Sequence, residues 1–406
     1  MRVLISGASV AGPALAYWLT RYGFTVTVVE RAPALRKAGG HAVDLFKPAM
    51  DIVERMGVLE QVVARKTGTE RLTLHTERGA RVDLELRRIL GAVSDRHVEI
   101  MRDDLSEIFY EATRHDAEYV FGDSITSISE EGEVTFERGE PDRFDLVIGA
   151  DGLHSNVRRL VFGPESRFTH WVGAYLAVIS VPNFLGLDNH MEGIAAVGRM
   201  AVMYGAAHLD DARAGFFFRT PQPLDYHHRD VTRQKELLRE HFAGLGWEVP
   251  RLLAELDRTP AFYFDSITQL RLDTWSSGRV TLVGDAGYCP GPAVGGSTSL
   301  AVVGAYVLAG ELAAHGGDHT RAYPAYEAEI GEYVRRSRTF AMNAAKRIVP
   351  GSRSDLWTMT QGVRLVNRLP VALTRAAIKL GSKGVRLHDS IALKSYAAPR
   401  ETTSHP

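Results

Sequence analysis

The sequence predicts an α/β fold: a parallel sheet flanked by helices, interrupted by an inserted and mostly antiparallel β-sheet, and closed by C-terminal helices. Three observations carry this reading. A short apolar run, Val3-Leu-Ile-Ser6, passes through Gly7-Ala-Ser-Val-Ala-Gly12 into the helically spaced segment Pro13–Thr20. Apolar and polar residues then alternate over Arg71–Leu86, and the stretch from about Trp171 to Leu270 is again rich in strand patterns. Finally a second buried run, Arg279-Val-Thr-Leu-Val283, ends in Gly284-Asp285, at the carboxyl edge where open α/β sheets bind ligands.

The first unit reads as strand, tight turn and helix, and its residue types suit a dinucleotide. Gly7 permits the sharp turn, and Gly12 allows the helix to pack closely on the strand. Between them, Ser9 and Ala11 are small enough for a pyrophosphate to approach, and the Ser9 hydroxyl can donate to it. The helix start supplies free N–H groups and a partial positive charge. The next strand, Thr25–Val29, ends in Glu30, 18 residues past Gly12, near the spacing of about 20 for a ribose-binding acid. Arg31 follows it directly. The bland alternative is a Gly-rich turn with a solvent-facing acid.

At 406 residues the chain has room for two or more domains of about 100–200 residues each. With 48 basic against 49 acidic residues, nothing draws it toward nucleic acid, and no nucleic-acid partner is expected. A lone Cys289 cannot form an internal disulfide, and the turn beginning at residue 7 leaves no room for a leader, so a cytoplasmic location is expected. Ser299–Ala314 contains Glu311 and falls short of the 20 or so apolar residues of a span, so it reads as a buried helix and no membrane partner is expected.

The remaining elements follow in order. Pro48–Val63 is helical, and a further helix carries Leu105, Ile108, Phe109 and Ala112. Strands at Tyr119–Phe121, Ile125–Ile128 and Val134–Phe136 lead to the buried run Phe144–Ile148, which rejoins the first sheet. Helices at Thr232–Phe242 and Pro250–Leu256 interrupt the middle strands. A long helix runs over Tyr323–Ile348, Pro350-Gly351 ends it, and two more helical segments precede a polar tail from Ala398. The expected division is a discontinuous nucleotide-binding domain (1–75, 97–170 and 271–345), a substrate domain (76–96 and 171–270) and a C-terminal segment (346–406).

Over about residues 1–345 these segments resemble the single-component, FAD-dependent aromatic hydroxylases of the para-hydroxybenzoate hydroxylase type, especially the smaller bacterial members that include tetracycline-inactivating monooxygenases. The resemblance implies a Rossmann-like FAD-binding domain with an inserted substrate sheet. Gly39–Leu45, with Asp44, resembles the loop beside the isoalloxazine. Arg102-Asp-Asp-Leu105 resembles the helix start whose arginine reaches the ribityl and phosphate region. Gly149–Arg158 resembles the fingerprint linked to FAD and NAD(P)H use, which implicates Asp151; the alternative reading is that Asp151 and Arg158 only hold that turn together, with Ser155 capping the helix. Asp285 matches the aspartate that accepts a ribityl hydrogen bond. Pro292, Gly295 and Gly296 match the loop beside the flavin ring, where the helix opening near Ser297 would stabilise negative charge on the reduced ring. Two segments depart from the family: Gly287-Tyr288 replaces Ala-His, and Ser297 replaces a glycine. Both bear on cofactor orientation and affinity.

The implied reaction has NADPH or NADH reduce FAD, O2 add at the flavin C4a position as a hydroperoxide, and one oxygen pass to an aromatic or polyketide-like small molecule. It requires no metal and no catalytic side chain. Candidate substrate contacts are Met191, Met203, Tyr204, Phe216, Phe218 and Phe264, with Met200; core packing is the competing role of each. His41 and His190 could assist a phenol's deprotonation, or be structural. A flavin-dependent dehydrogenase or reductase, or a noncatalytic flavin- or ligand-binding protein, would share the FAD segments. Either a monomer or a homodimer fits the sequence.

Overall fold

Val3, Leu4, Ile5, Val28, Leu146, Val147 and Ile148 are fully buried, as expected of strands covered on both faces. In the computed structural model, which describes residues 1–35, 40–86, 88, 94, 96–292, 296–370, 374 and 391–396, they form the centre of a six-stranded sheet. Its order is Ser276–Ser277, Val280–Leu282, Leu146–Gly149, Arg2–Ser6, Thr25–Glu30 and Glu118–Phe121. All neighbours pair in parallel except the short edge strand Ser276–Ser277.

Helix Ala11–Arg21 packs on this sheet and against helix Ser297–Ala314. The latter is long and apolar enough to cross a membrane, but its apolar residues lie all round it because it is buried within the core.

A seven-stranded sheet forms the second layer, in the order Phe262–Leu270, Thr169–Pro182, Asp211–Arg219, Arg199–Gly205, His190–Ala196, Arg71–Thr76 and Arg81–Glu85. All pairs are antiparallel except His190–Ala196 with Arg71–Thr76. This pairing corrects the expected domain boundary after residue 75, which falls inside a strand of the second sheet. One face of that sheet carries helices Val231–Phe242 and Val249–Ala254. The other faces the segments His41–Asp44 and Gly296–Thr298 and is partly covered by Met359 and Val363 of helix Arg353–Arg368.

Smaller differences have local causes. The expected helix Pro48–Val63 is two helices, Lys47–Arg55 and Leu59–Ala64, separated at Gly57, whose φ of +73° cannot continue a helix. Ile125–Ile128 and Glu133–Phe136 form a separate three-stranded sheet with Asp142–Arg143, and only Glu118–Phe121 joins the first sheet. The long helix starts at His319, where the Asp318 carboxylate accepts from the Thr320 N–H at 3.0 Å, and it runs to Ile348. Of the two further helices, Arg353–Arg368 is present; the second, and the tail from Ala398, lie outside the described residues.

Candidate functional site

The turn after the first strand is built around two glycines that nothing larger could replace. Gly7 has φ +109°, and a Cβ there would sit 2.6 Å from the Ala150 carbonyl oxygen; one on Gly12 would sit 1.9 Å from the Gly7 carbonyl oxygen. The helix that follows has no side-chain cap at Val10 and no acid in its first turn. Its free N–H groups and partial positive charge are left for an anion.

This turn borders a cavity of about 430 Å³ whose wall includes Ser9, Glu30, Arg31, Arg102 and Asp151. Five of the expected cofactor residues thus meet in one place. The Glu30 carboxylate is fixed by the Ala8 N–H at 2.9 Å and the Ala32 N–H at 2.8 Å, which use two of its roughly four lone pairs. The Arg102 guanidinium donates to the Ser9 hydroxyl from Nε at 3.2 Å and Nη2 at 3.0 Å, bringing a cation to the glycine turn.

Asp151 also organises the helix behind it. It accepts from the Asn156 and Val157 N–H groups at 2.8 and 3.0 Å and from the Ser155 hydroxyl, while Ser155 Oγ caps the Arg158 N–H at 3.0 Å. Burial raises the Asp151 carboxyl above the ordinary carboxylate range, against the pull of these hydrogen bonds. Arg158 is wholly buried and donates to the Ala286 and Leu153 carbonyls and to Glu165, at 2.9, 2.6 and 2.6 Å. It holds the turn.

Asp285 does not line this cavity; it sits in the short helix after Gly284. Burial raises its carboxyl, and the Arg102 charge opposes that rise. A Cβ on Gly284 would press at 3.2 Å on both Ala11 and Ala301, so this glycine seats Asp285 between the two helices that flank the cradle. Ala11 is buried at the first of these helices and Pro292 is buried near the second, whereas Gly295 lies outside the described residues. Gly296, with φ +95°, precedes helix Ser297–Ala314, which has neither a side-chain cap nor an acid in its first turn.

A second cavity, of about 240 Å³, lies between the two layers. Leu72, Leu176, Met191, Met200, Val202 and Phe217 form its sheet side; His41–Asp44 and Gly296–Thr298 form the opposite wall. Met191 and Tyr204, two of the expected substrate contacts, line this cavity, and the Tyr204 hydroxyl accepts from the Ala42 N–H at 3.1 Å. Met203, Phe216, Phe218 and Phe264 are not. They point to the other face of the sheet and pack with Leu238 and Phe242 under the two helices. Successive side chains alternate faces, so Phe217, between the two expected phenylalanines, is the one that lines the cavity.

Asp44 belongs to this second cavity, with Oδ1 2.6 Å from His97 Nε2. His41 lines both cavities. Burial first, and then the Arg102 charge, lowers its imidazole to about 3, so it is neutral and a poor base at neutral pH. His190 bonds to Thr73 Oγ1 at 2.9 Å and lines neither cavity. Tyr288, one of the two departures, points away from both: it is wholly buried, with its hydroxyl 2.9 Å from that of Tyr326. Glu99, Leu72 and Leu74 line the second cavity without having been singled out by the sequence.

Residues 1–345 match the family model described as FAD binding domain. The chain is 46% identical over 342 residues to an uncharacterized protein of Mycobacterium tuberculosis, covering 83% of this chain and 91% of the relative. It is 38% identical over 345 residues to a flavin-dependent monooxygenase of Legionella longbeachae, covering 84% and 88%. The crystal structure of tetracycline destructase Tet(51) superposes with a TM-score of 0.82 at 32% identity, over 97% of this chain and 99% of that one.

Proposed function

We infer the function from one premise: this chain belongs to the FAD-dependent monooxygenases. It is a flavoenzyme. We propose that it uses NADPH or NADH and O2 to place one oxygen atom on a flat aromatic or polyketide-like small molecule, and that it works in the cytoplasm as a monomer or homodimer. The observation that carries the reading is the shared wall: His41 lines a polar cavity that begins at the glycine turn and an apolar cavity beneath the second sheet.

The residues fit FAD. A Cβ at Gly7 or Gly12 would fill the cradle, and the uncapped start of helix Ala11–Arg21 suits a pyrophosphate. Glu30 would take the adenosine ribose, Arg102 and Ser9 the phosphate and ribityl region, and Asp285 a ribityl hydroxyl. The uncapped helix start at Gly296 would face the ring. When bound, FAD supplies the redox and oxygen chemistry. The chain's own work is to orient the substrate against the His41–Asp44 wall and to keep water out with Leu72, Met191, Met200, Val202 and Phe217. The likeness to a tetracycline destructase makes polycyclic ketides a first panel to try.

The test is the visible spectrum of the purified protein, followed by NADPH addition in air with phenolic and polyketide compounds. A flavin spectrum that bleaches faster with one compound, with O2 consumed and labelled oxygen found in the product, supports the reading. Substrate oxidation without oxygen incorporation would instead indicate a dehydrogenase, and a protein that rejects added FAD would overturn the cofactor assignment.

A further inference from the structure

The strands Ala42–Phe46 and His97–Met101 pair so that Asp44 stands directly opposite Glu99, and both residues open on the apolar cavity. Two carboxyl groups in that register repel each other. The donors near them are the Thr67 hydroxyl, bonded to one Glu99 oxygen, the Thr69 hydroxyl, which also favours the charged Glu99, and His97 Nε2, 2.6 Å from one Asp44 oxygen. Among the described residues, no lysine or arginine lines the cavity, and its histidine, His41, is neutral. Burial, and after it the Asp44 charge, holds the Glu99 carboxyl above its usual range. A cation brought beside the pair would favour the charged form of both carboxyls. The remaining walls are mostly the side chains of Leu72, Leu74, Met191, Met200, Val202 and Phe217, which suit a flat ring system. The opposite polar feature of the cavity, the helix start at Gly296–Thr298, is spoken for by the flavin ring in the reading above.

We propose that Glu99, supported by Asp44, is the specificity-determining anchor of this cavity and selects aromatic substrates that carry a protonated amine. The inference rests on the reading of this cavity as the substrate site. An ammonium group would donate charge-assisted hydrogen bonds to the two carboxylates and relieve their repulsion, while the ring lies against the methionines and Phe217. Such pairing is what makes burial of either charge tolerable.

The experiment is isothermal titration of the FAD-loaded protein at neutral pH with three probes of one shape: naphthylmethylamine (a cation), naphthylmethanol (neutral) and naphthoate (an anion). The wild-type protein should bind the amine at least about tenfold more tightly than the alcohol, with the anion weakest. Glu99→Gln should bring the amine-to-alcohol ratio close to one, and Asp44→Asn should reduce it by a smaller factor. Flavin content reports whether each variant is folded; should Glu99→Gln lose its flavin, the wild-type ratio and Asp44→Asn decide. Equal affinity of the wild type for amine and alcohol overturns the inference, as does a preference that survives both substitutions. Binding of the alcohol without charge preference leaves the substrate-site reading standing and removes only this one. Failure of all three probes to bind removes both.

Discussion

His154 ties the two layers together, and its protonation should be visible in the stability of the whole chain. Its Nδ1 lies 3.0 Å from Glu165 Oε1 and its Nε2 3.1 Å from Asp265 Oδ2, the latter on the edge strand of the second sheet. Burial lowers the imidazole's pKa, but hydrogen bonds to Asp265 and Glu165 and their charges outweigh it and push the value from 6.5 up to about 10. A rise of roughly 3.5 units corresponds to about 5 kcal/mol at ~1.4 kcal/mol per unit. Because the side chain is 30% exposed, solvent screening cuts this to an expected ~2 kcal/mol. The sign follows from a folded-state pKa above the unfolded one: the contribution is complete below about pH 6.5 and is lost as the pH rises toward about 10. Urea unfolding of the wild type and His154→Gln across that window isolates the effect, since other groups titrate in both proteins. The wild type should be more stable by about 2 kcal/mol at the acid end, and the gap should close at the alkaline end. A gap that stays constant or widens with pH would refute the reasoning.

Gly12→Ala places a methyl group 1.9 Å from the Gly7 carbonyl oxygen, so the helix must move off the turn. At about 1–3 kcal/mol for such overpacking, FAD affinity should fall roughly ten- to a hundredfold, read from the flavin-to-protein absorbance ratio after dialysis. Phe217→Ala and Phe218→Ala should behave oppositely although the residues are neighbours. Phe218→Ala should cost about 3–5 kcal/mol in denaturant melts, whereas Phe217→Ala should mainly alter which compounds stimulate NADPH oxidation; equal effects would contradict the assignment of faces. Tyr288→Phe should retain FAD and lose about 1 kcal/mol of stability, because the hydroxyl serves Tyr326 in the core.

The residues proposed to hold FAD are legible in the sequence because their signals are local. Gly7, Gly12 and Glu30 fall on one strand–turn–helix–strand unit, and the Ser155 cap needs only the four residues around it. The lining of the proposed substrate cavity is hidden for two physical reasons. Both faces of the second sheet are buried, so in Gly215-Phe-Phe-Phe218 apolarity cannot tell the cavity face from the helix-covered face; only the pairing with Arg199–Gly205 does. The second reason is distance along the chain. Leu72 and Leu74 reach the cavity through a parallel pairing with His190–Ala196, more than 100 residues away, and Glu99 in a polar-apolar alternation reads like any solvent-facing acid. Tyr288 looked like a departure at the cofactor, yet its side chain turns into the core; sequence position names a neighbourhood and not a direction.

The two layers take their strands from interleaved stretches of chain, and this constrains how the protein can be made. The first sheet waits for Val280–Leu282 to complete one flank of Leu146–Gly149, and helix Ser297–Ala314 then closes over Ala11–Arg21. A nascent chain emerging from the ribosome therefore carries its glycine turn for most of its synthesis without the helix that covers it. Neither layer can be expressed alone by cutting the chain at a single point. The cradle proposed for FAD is complete only once helix Ser297–Ala314 has been made, and until then the half-built sheets expose apolar faces to one another.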